Sequence, residues 1–452
     1  MIGNDLTQGN VTKTLLRFTV PFLLGNLLHT LYGIVDMLIV GRFADSMQMA
    51  AVSIGALWML TLNSFIMGFG TGATVITGQM CGAKREKDLE ETISTVFSVI
   101  PLTAIVLMVI CFLLRVPLLR LLQTPPESFA AAEAYFRICL YGTVFTGMYT
   151  AIAGVLRGMG DSKGPTIFVA IATGLNILGD YLCVGVWNMG AAGAALATTS
   201  AQGVSVLLGY IYLRRHNFPF DFKPRSFRIY PDKLRQLLTI GLPTALQEAI
   251  ANISFLVLEG IINGFGYVAT AAAGVVDRLF SVSTVPSFAF GGAISAMVAQ
   301  NIGAGEYSRG RRCLRIGLLF SGCIAAVLVL LVLLFPAQAV GLFSKEPDVI
   351  RMGVDYLVFY RYDMLLYAIA FCILGYINGT GHTRYTMFVN LFTSFAIRVP
   401  LVWAVSNIAG ATLYHIGIAM PIASIIQILM ALAFVYFAKS EREHRMKPET
   451  NK

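Results

Sequence analysis

The sequence predicts an all-α polytopic membrane protein, twelve transmembrane helices in two six-helix parallel pseudo-repeats. Three observations carry this. First, the 452 residues are 56% hydrophobic and only 13% charged, against roughly one-quarter charged in soluble domains. Second, long apolar runs recur, each enough helix to cross a hydrocarbon core of about 30 Å. A transmembrane barrel would show segments of about ten alternating residues instead. Third, glycines and prolines recur in register after a shift of 221 residues.

The apolar runs lie near 15–40, 50–76, 92–114, 131–155, 165–186 and 191–213, then 237–262, 267–296, 314–335, 353–377, 385–408 and 411–438. The first has Lys13 and Arg17 at its start, carries Pro21 soon after and holds Asp36 well inside. Between the sixes lies RRHNFPFDFKPRSFRIYPDKLRQ, 214–236, rich in proline and basic residues. The expected organisation is an amino-terminal lobe 1–213, a cytoplasmic linker 214–236, a carboxy-terminal lobe 237–438 and a cytoplasmic tail 439–452. No cleavable signal peptide is expected, because the first run is too long and lacks a small-residue cleavage site.

The cations set the orientation. Most of the 33 Lys and Arg fall in the amino terminus, the even-numbered loops and the carboxyl terminus. The odd-numbered loops carry Arg42, Arg115, Arg120, Lys345 and Arg351, and the spans themselves carry Arg137, Arg278, Arg361 and Arg398. The positive-inside rule then places both termini and the linker in the cytoplasm of a multi-pass plasma-membrane protein. The asymmetry also accounts for the net charge of +9 without any nucleic-acid partner. Seven cysteines are scattered, with no CxxC pair and no Cys/His metal spacing, and read as small core residues.

The repeat pairs Phe69 with Phe290, Gln79 with Gln300, Gly82 with Gly303, Pro126 with Pro347, Tyr135 with Tyr356, Tyr141 with Tyr362, Gly154 with Gly375 and Gly158 with Gly379. Pro21 pairs with Pro243 with one extra residue. Such spacing points to duplication. Six spans is an even number, so both halves begin on one side. A parallel repeat of this kind places a substrate site between the halves.

Intramembrane acids mark pathways because a bare charge in hydrocarbon is costly. Asp36 has Tyr32 four residues before it on one helical face. In the fifth span Asn176 and Asp180 also stand four apart, offering an amide oxygen and a carboxylate, suited to Na⁺ or to a proton in a polar network. The bland alternatives are a snorkelling carboxylate for Asp36 and an interhelical hydrogen bond for Asn176 and Asp180. Their joint presence in one half favours a cation site. The second half carries Leu401 where the repeat would place Asp180, and has Glu248, Glu259, Asp277 and Asp363 elsewhere. Asp277 adjoins Arg278 and Asp363 lies two from Arg361, so neutral or paired structural roles are expected for these, and each could also line a cavity. Glu248 has no cation nearby in sequence. Glu248, Tyr141 and Asp363 are the candidate substrate-cavity residues. The Gly-rich stretches at 78–85, 156–163, 299–306 and 377–384 are expected to be tight turns, since no GxxxxGK[ST] occurs.

The chain resembles the multidrug and toxic compound extrusion (MATE) transporters. The resemblance rests on the six-plus-six repeat, Pro21 with Asp36, the GQMCGA turn at 78–83, LRGMGDSK at 156–163, the NILGD of the fifth span and GAAGAALAT at 190–198. It implies secondary active efflux of amphipathic, cationic organic compounds in exchange for Na⁺ or H⁺, by two alternating lobes, without an enzymatic step or a cofactor beyond the coupling ion. It maps a cation site to Tyr32, Asp36, Asn176, Asp180 and Thr198 and a hinge to Pro21. The expected partners are small organic molecules and the lipid bilayer, and a monomer is expected. Two rivals remain. A lipid-linked saccharide flippase of the same superfamily would show several cavity cations. An intramembrane aspartyl protease would need a YD…GxGD pattern, and Ile177, Leu178 and Gly179 precede Asp180 instead.

Overall fold

The computed structural model describes residues 3–216 and 218–446. Each apolar run folds as one long helix: α1 (Val11–Phe43), α2 (Ser46–Gly82), α3 (Glu86–Leu121), α4 (Pro126–Gly158), α5 (Lys163–Val186), α6 (Gly190–Arg215), α7 (Pro231–Asn263), α8 (Tyr267–Gly303), α9 (Tyr307–Leu334), α10 (Pro347–Gly379), α11 (Thr383–Ser406) and α12 (Leu413–Phe437). They run to between 24 and 37 residues, about 36 to 55 Å at 1.5 Å per residue, so most extend beyond the hydrocarbon on one side or both. A short helix, Pro336–Gly341, joins α9 to α10. No strand is found among the described residues. The expected tail, 439–452, continues the last helix as far as Met446; 447–452 lie outside the described residues.

Local chemistry sets the helix starts. Asn10 caps α1 by accepting from the Lys13 amide at 3.2 Å, and Asp45 caps α2 through the Gln48 amide at 2.8 Å. Asp161 accepts from the Lys163 and Gly164 amides at 2.9 and 3.0 Å ahead of α5. Pro126 and Pro347, repeat counterparts, open α4 and α10, where the missing N–H costs nothing. Pro21, Pro101, Pro117, Pro243 and Pro286 lie inside helices, and each removes one ladder hydrogen bond.

By contact the chain separates into two units. The first comprises Met1–Ala249 with Ala299–Arg309, and the second Ile250–Val298 with Gly310–Lys452. The amino-terminal lobe 1–213 falls wholly in the first unit. That unit also takes in the linker, the leading turns of α7 and the turn that ends α8.

Glycine contacts explain why the repeated glycines sit where they do. In the first unit a Cβ on Gly154 would lie 2.8 Å from the Gly70 carbonyl oxygen. In the second, one on Gly375 would lie 2.3 Å from that of Gly291. Helices in lipid associate by close packing of small residues, and both pairs allow backbones to touch. A tighter crossing joins the ends of α2 and α8 inside the first unit. A Cβ on Gly82 would meet the Gln300 carbonyl oxygen at 1.9 Å, and one on Gly303 would meet that of Gln79 at 2.1 Å. The two turns are repeat counterparts, so each buries its glycine under the other's glutamine backbone.

The amino-terminal segment lies on this crossing. Leu6 is buried, and its amide donates to Gln300 Oε1 at 3.0 Å. Gln300 Nε2 donates in turn to the Gly158 carbonyl at 2.7 Å. The Arg309 guanidinium donates to the carbonyls of Gln8 at 2.5 Å and Gly9 at 2.7 Å. The linker is equally anchored. Phe218, Phe220 and Phe222 surround Phe97 of α3. The Ser94 hydroxyl donates to the Ser226 carbonyl at 2.6 Å, and Lys233 pairs with Asp88 at 2.5 Å. Asp221 is held down at about 2, first by the Ser226 hydroxyl and then by Lys223.

Candidate functional site

The residues expected to form a cation site come together within the first unit. Asp36 projects from α1 and is 7% exposed; Asn176 and Asp180 project from α5 and are fully buried. The Asp36 and Asp180 carboxyl groups approach each other, and Asn176 reaches Asp180. Tyr32 on α1 reaches Thr198 on α6. None of these approaches closes into a regular hydrogen bond. Tyr32 Oη, Asp36 Oδ1, both polar atoms of the Asn176 amide, both Asp180 oxygens and Thr198 Oγ1 are buried and unsatisfied.

More than nine-tenths of buried polar groups in folded proteins have a partner. A dense set of orphans on three helices therefore makes this the candidate binding site. The donors are almost all oxygens, two of them carboxylates, which suits a hard monovalent cation or a proton. Two carboxylates side by side in a low dielectric repel unless positive charge comes between them. Among the described residues no three His, Cys, Asp or Glu side chains gather as metal ligands, so the set differs from that of a transition-metal centre.

Two local features aim these side chains. The helical ladder of α5 widens immediately after Asp180, where Tyr181–Val186 form a π-helix, a distortion that recurs at functional sites. At the other end of α5 the Thr166 hydroxyl donates to the Pro21 carbonyl at 2.7 Å, pinning α5 to α1 at the proline. Nothing in the sequence signals the π segment. Sequence reasoning also missed Tyr135 and Cys139 of α4, both buried, which stand near Asp36. Their spacing of four, and the match of Tyr135 to Tyr356, was the available signal.

The other candidates lie elsewhere. Tyr141 is half exposed and its ring packs on Phe112 at 6.1 Å. Glu248 is half-buried on α7 in the first unit, whereas Asp363 is buried on α10 in the second. The second-half acids meet partners other than their sequence neighbours. Asp277 accepts from the Tyr360 hydroxyl at 3.1 Å, while Arg278 is exposed. Asp363 faces Ser424 and the charge of Arg398 rather than Arg361, whose guanidinium lies over the Tyr362 ring at 5.2 Å. The reason is helical geometry: residues one or two apart point to different faces, so sequence neighbours seldom pair.

The MatE family model matches residues 21–182 and 243–404, two blocks offset by the Pro21-to-Pro243 spacing. A probable multidrug resistance protein of Bacillus subtilis (strain 168), YoeA, is 29% identical over 450 residues, covering 98% of this chain and 97% of its own length. A second from the same strain, YpnP, is 30% identical over 438 residues and covers 97% of each chain. A crystal structure of a MATE protein in its bent conformation superposes with a TM-score of 0.90 at 19% identity, covering 96% of this chain and 98% of that one.

Proposed function

The chain belongs to the MatE family of multidrug efflux transporters, and from that premise we propose that it expels amphipathic, cationic organic compounds in exchange for inward-moving Na⁺ or H⁺. The single observation that supports the exchange is the unsatisfied oxygen cluster around Asp36 and Asp180. A cation or proton arriving there neutralises the carboxylates and supplies the partners that Asn176, Tyr32 and Thr198 lack. Asp36 and Pro21 share α1, and the Pro21 carbonyl is tied to Thr166 of the helix that carries Asp180. Charge arriving at the acids is thereby coupled to bending of α1 at its proline. Such a ligand shifts the transporter between states only through unequal affinity for them. In this reading both termini face the cytoplasm, the protein works as a monomer in the plasma membrane, and no cofactor takes part beyond the coupling ion.

The test is drug efflux in reconstituted vesicles with Na⁺ and pH gradients imposed separately. One gradient should drive accumulation in the wild type and fail to do so in Asp36→Asn and Asp180→Asn. Undiminished gradient-driven transport by both variants would remove the reading.

A further inference from the structure

The second unit repeats the setting of the acid pair but changes its charges. Tyr356 and Tyr360 of α10 are the repeat counterparts of Tyr135 and Cys139, which stand near Asp36 in the first unit. Tyr356 and Tyr360 are 1% exposed and stack at 5.0 Å between ring centroids. They face Asp277, Asp363 and Arg398. Asp277 also lies near Glu259 and is satisfied by the Tyr360 hydroxyl. Asp363 is 2% exposed, reaches Ser424 and otherwise answers to Arg398.

Arg398 lies on α11, one residue past Ile397, the counterpart of Asn176. Near the level at which α5 carries that amide, α11 carries a guanidinium that acts on Asp363. Arg398 is itself 8% exposed and rides over the Phe255 ring at 5.6 Å. Its Nε, like Asp363 Oδ1, has no hydrogen-bond partner. Among the described residues no closed salt bridge joins the two side chains, and Arg398 acts on Asp363 across a gap. A charge this deep is costly unless its opposite stands near, and Arg398 is the cation that acts on Asp363.

We propose that Arg398 is a tethered counter-cation, built into the second unit in place of an exchanged ion, so that Asp363 takes up neither Na⁺ nor another monovalent metal ion during transport. The second unit is thereby a fixed-charge body, and ion exchange is left to the acids of the first. The proposal concerns the second unit alone and does not depend on what binds at Asp36.

The measurement is made in an Asp36→Asn/Asp180→Asn background, which silences the first unit, on full-length protein in detergent. Radioactive Na⁺ binding and the thermal unfolding midpoint are read in NaCl against choline chloride. With Arg398 present, no Na⁺ binding dependent on Asp363 is expected. Arg398→Gln should lower the midpoint by about 5 °C or more, as breaking a buried pair does. Adding Asp363→Asn should recover it, and Arg398→Lys should behave as the parent. Should Arg398→Gln not fold, recovery in the Asp363→Asn/Arg398→Gln protein carries the test. Sodium binding that needs Asp363 while Arg398 is intact, or a double variant no more stable than Arg398→Gln, overturns the proposal.

Discussion

The crossing of the α2 and α8 turns lends itself to a quantitative perturbation. Replacing Gly303 by alanine places a methyl group 2.1 Å from the Gln79 carbonyl oxygen and 2.8 Å from its carbon. Ordinary contact begins near 3.4 Å, so the turns must part by more than an ångström. The obstacle is backbone, which has no rotamer to swing aside. Overpacking of this kind costs about 1–3 kcal/mol, or roughly a 5- to 150-fold shift against the crossed arrangement. The crossing also carries the Leu6–Gln300 and Gln300–Gly158 hydrogen bonds, which would loosen with it. Cys81, half-buried on the same turn, is a natural reporter. Its modification by an impermeant maleimide, applied to the face bearing the basic loops and read by mass spectrometry, should accelerate about tenfold in Gly303→Ala and in Gly82→Ala, with a matching fall in efflux. Gly322→Ala on α9, where an added Cβ meets nothing within 4 Å, is the silent control. Labelling and efflux at wild-type rates in both turn variants would show that the close approach does not govern the state of the turns.

Further outcomes follow from the same contacts. Asp36→Asn and Asp180→Asn should each lower gradient-driven efflux at least tenfold while leaving the unfolding midpoint near that of the wild type, because an amide fills the same volume; a collapse of the midpoint would reassign these acids to structure. Thr166→Val should free the Pro21 carbonyl at a cost of about 0.5–1.5 kcal/mol, seen as altered transport rate with unchanged expression, and an unchanged rate would detach the proline from α5. Lys233→Met should cost about 1 kcal/mol or less, since Asp88 is one-third exposed and solvent screens the pair. The loss should shrink in high salt, and a salt-independent loss would point to packing instead.

The architecture was legible because hydrocarbon imposes a coarse rule: a run of twenty apolar residues needs no partner to declare itself. The shared face of Asn176 and Asp180 was equally plain, since one helix fixes both members. What lay hidden required knowing how helices are rotated about their axes. Tyr135 and Cys139 face Asp36 because glycine contacts such as Gly154 on Gly70 set the rotation of α4, and no local pattern encodes that angle. Asp277 and Asp363 have cations beside them in sequence, yet both meet partners on other helices. The linker 214–236, read as a polar divider, packs by its phenylalanines onto α3, and contact gathers it with the first unit.

The π turn after Asp180 has a mechanical consequence. Such a turn holds one residue more than a regular helix would seat over the same rise, and a second one, Phe392–Arg398, interrupts α11 in the other half. Absorbing or releasing that surplus slides one portion of the rod against the other by about 1.5 Å and twists it by about 100°, with every peptide group handed on to a neighbouring acceptor. Both rods therefore carry slack, and the carboxylate at the edge of the first can be re-aimed without melting the helix that bears it.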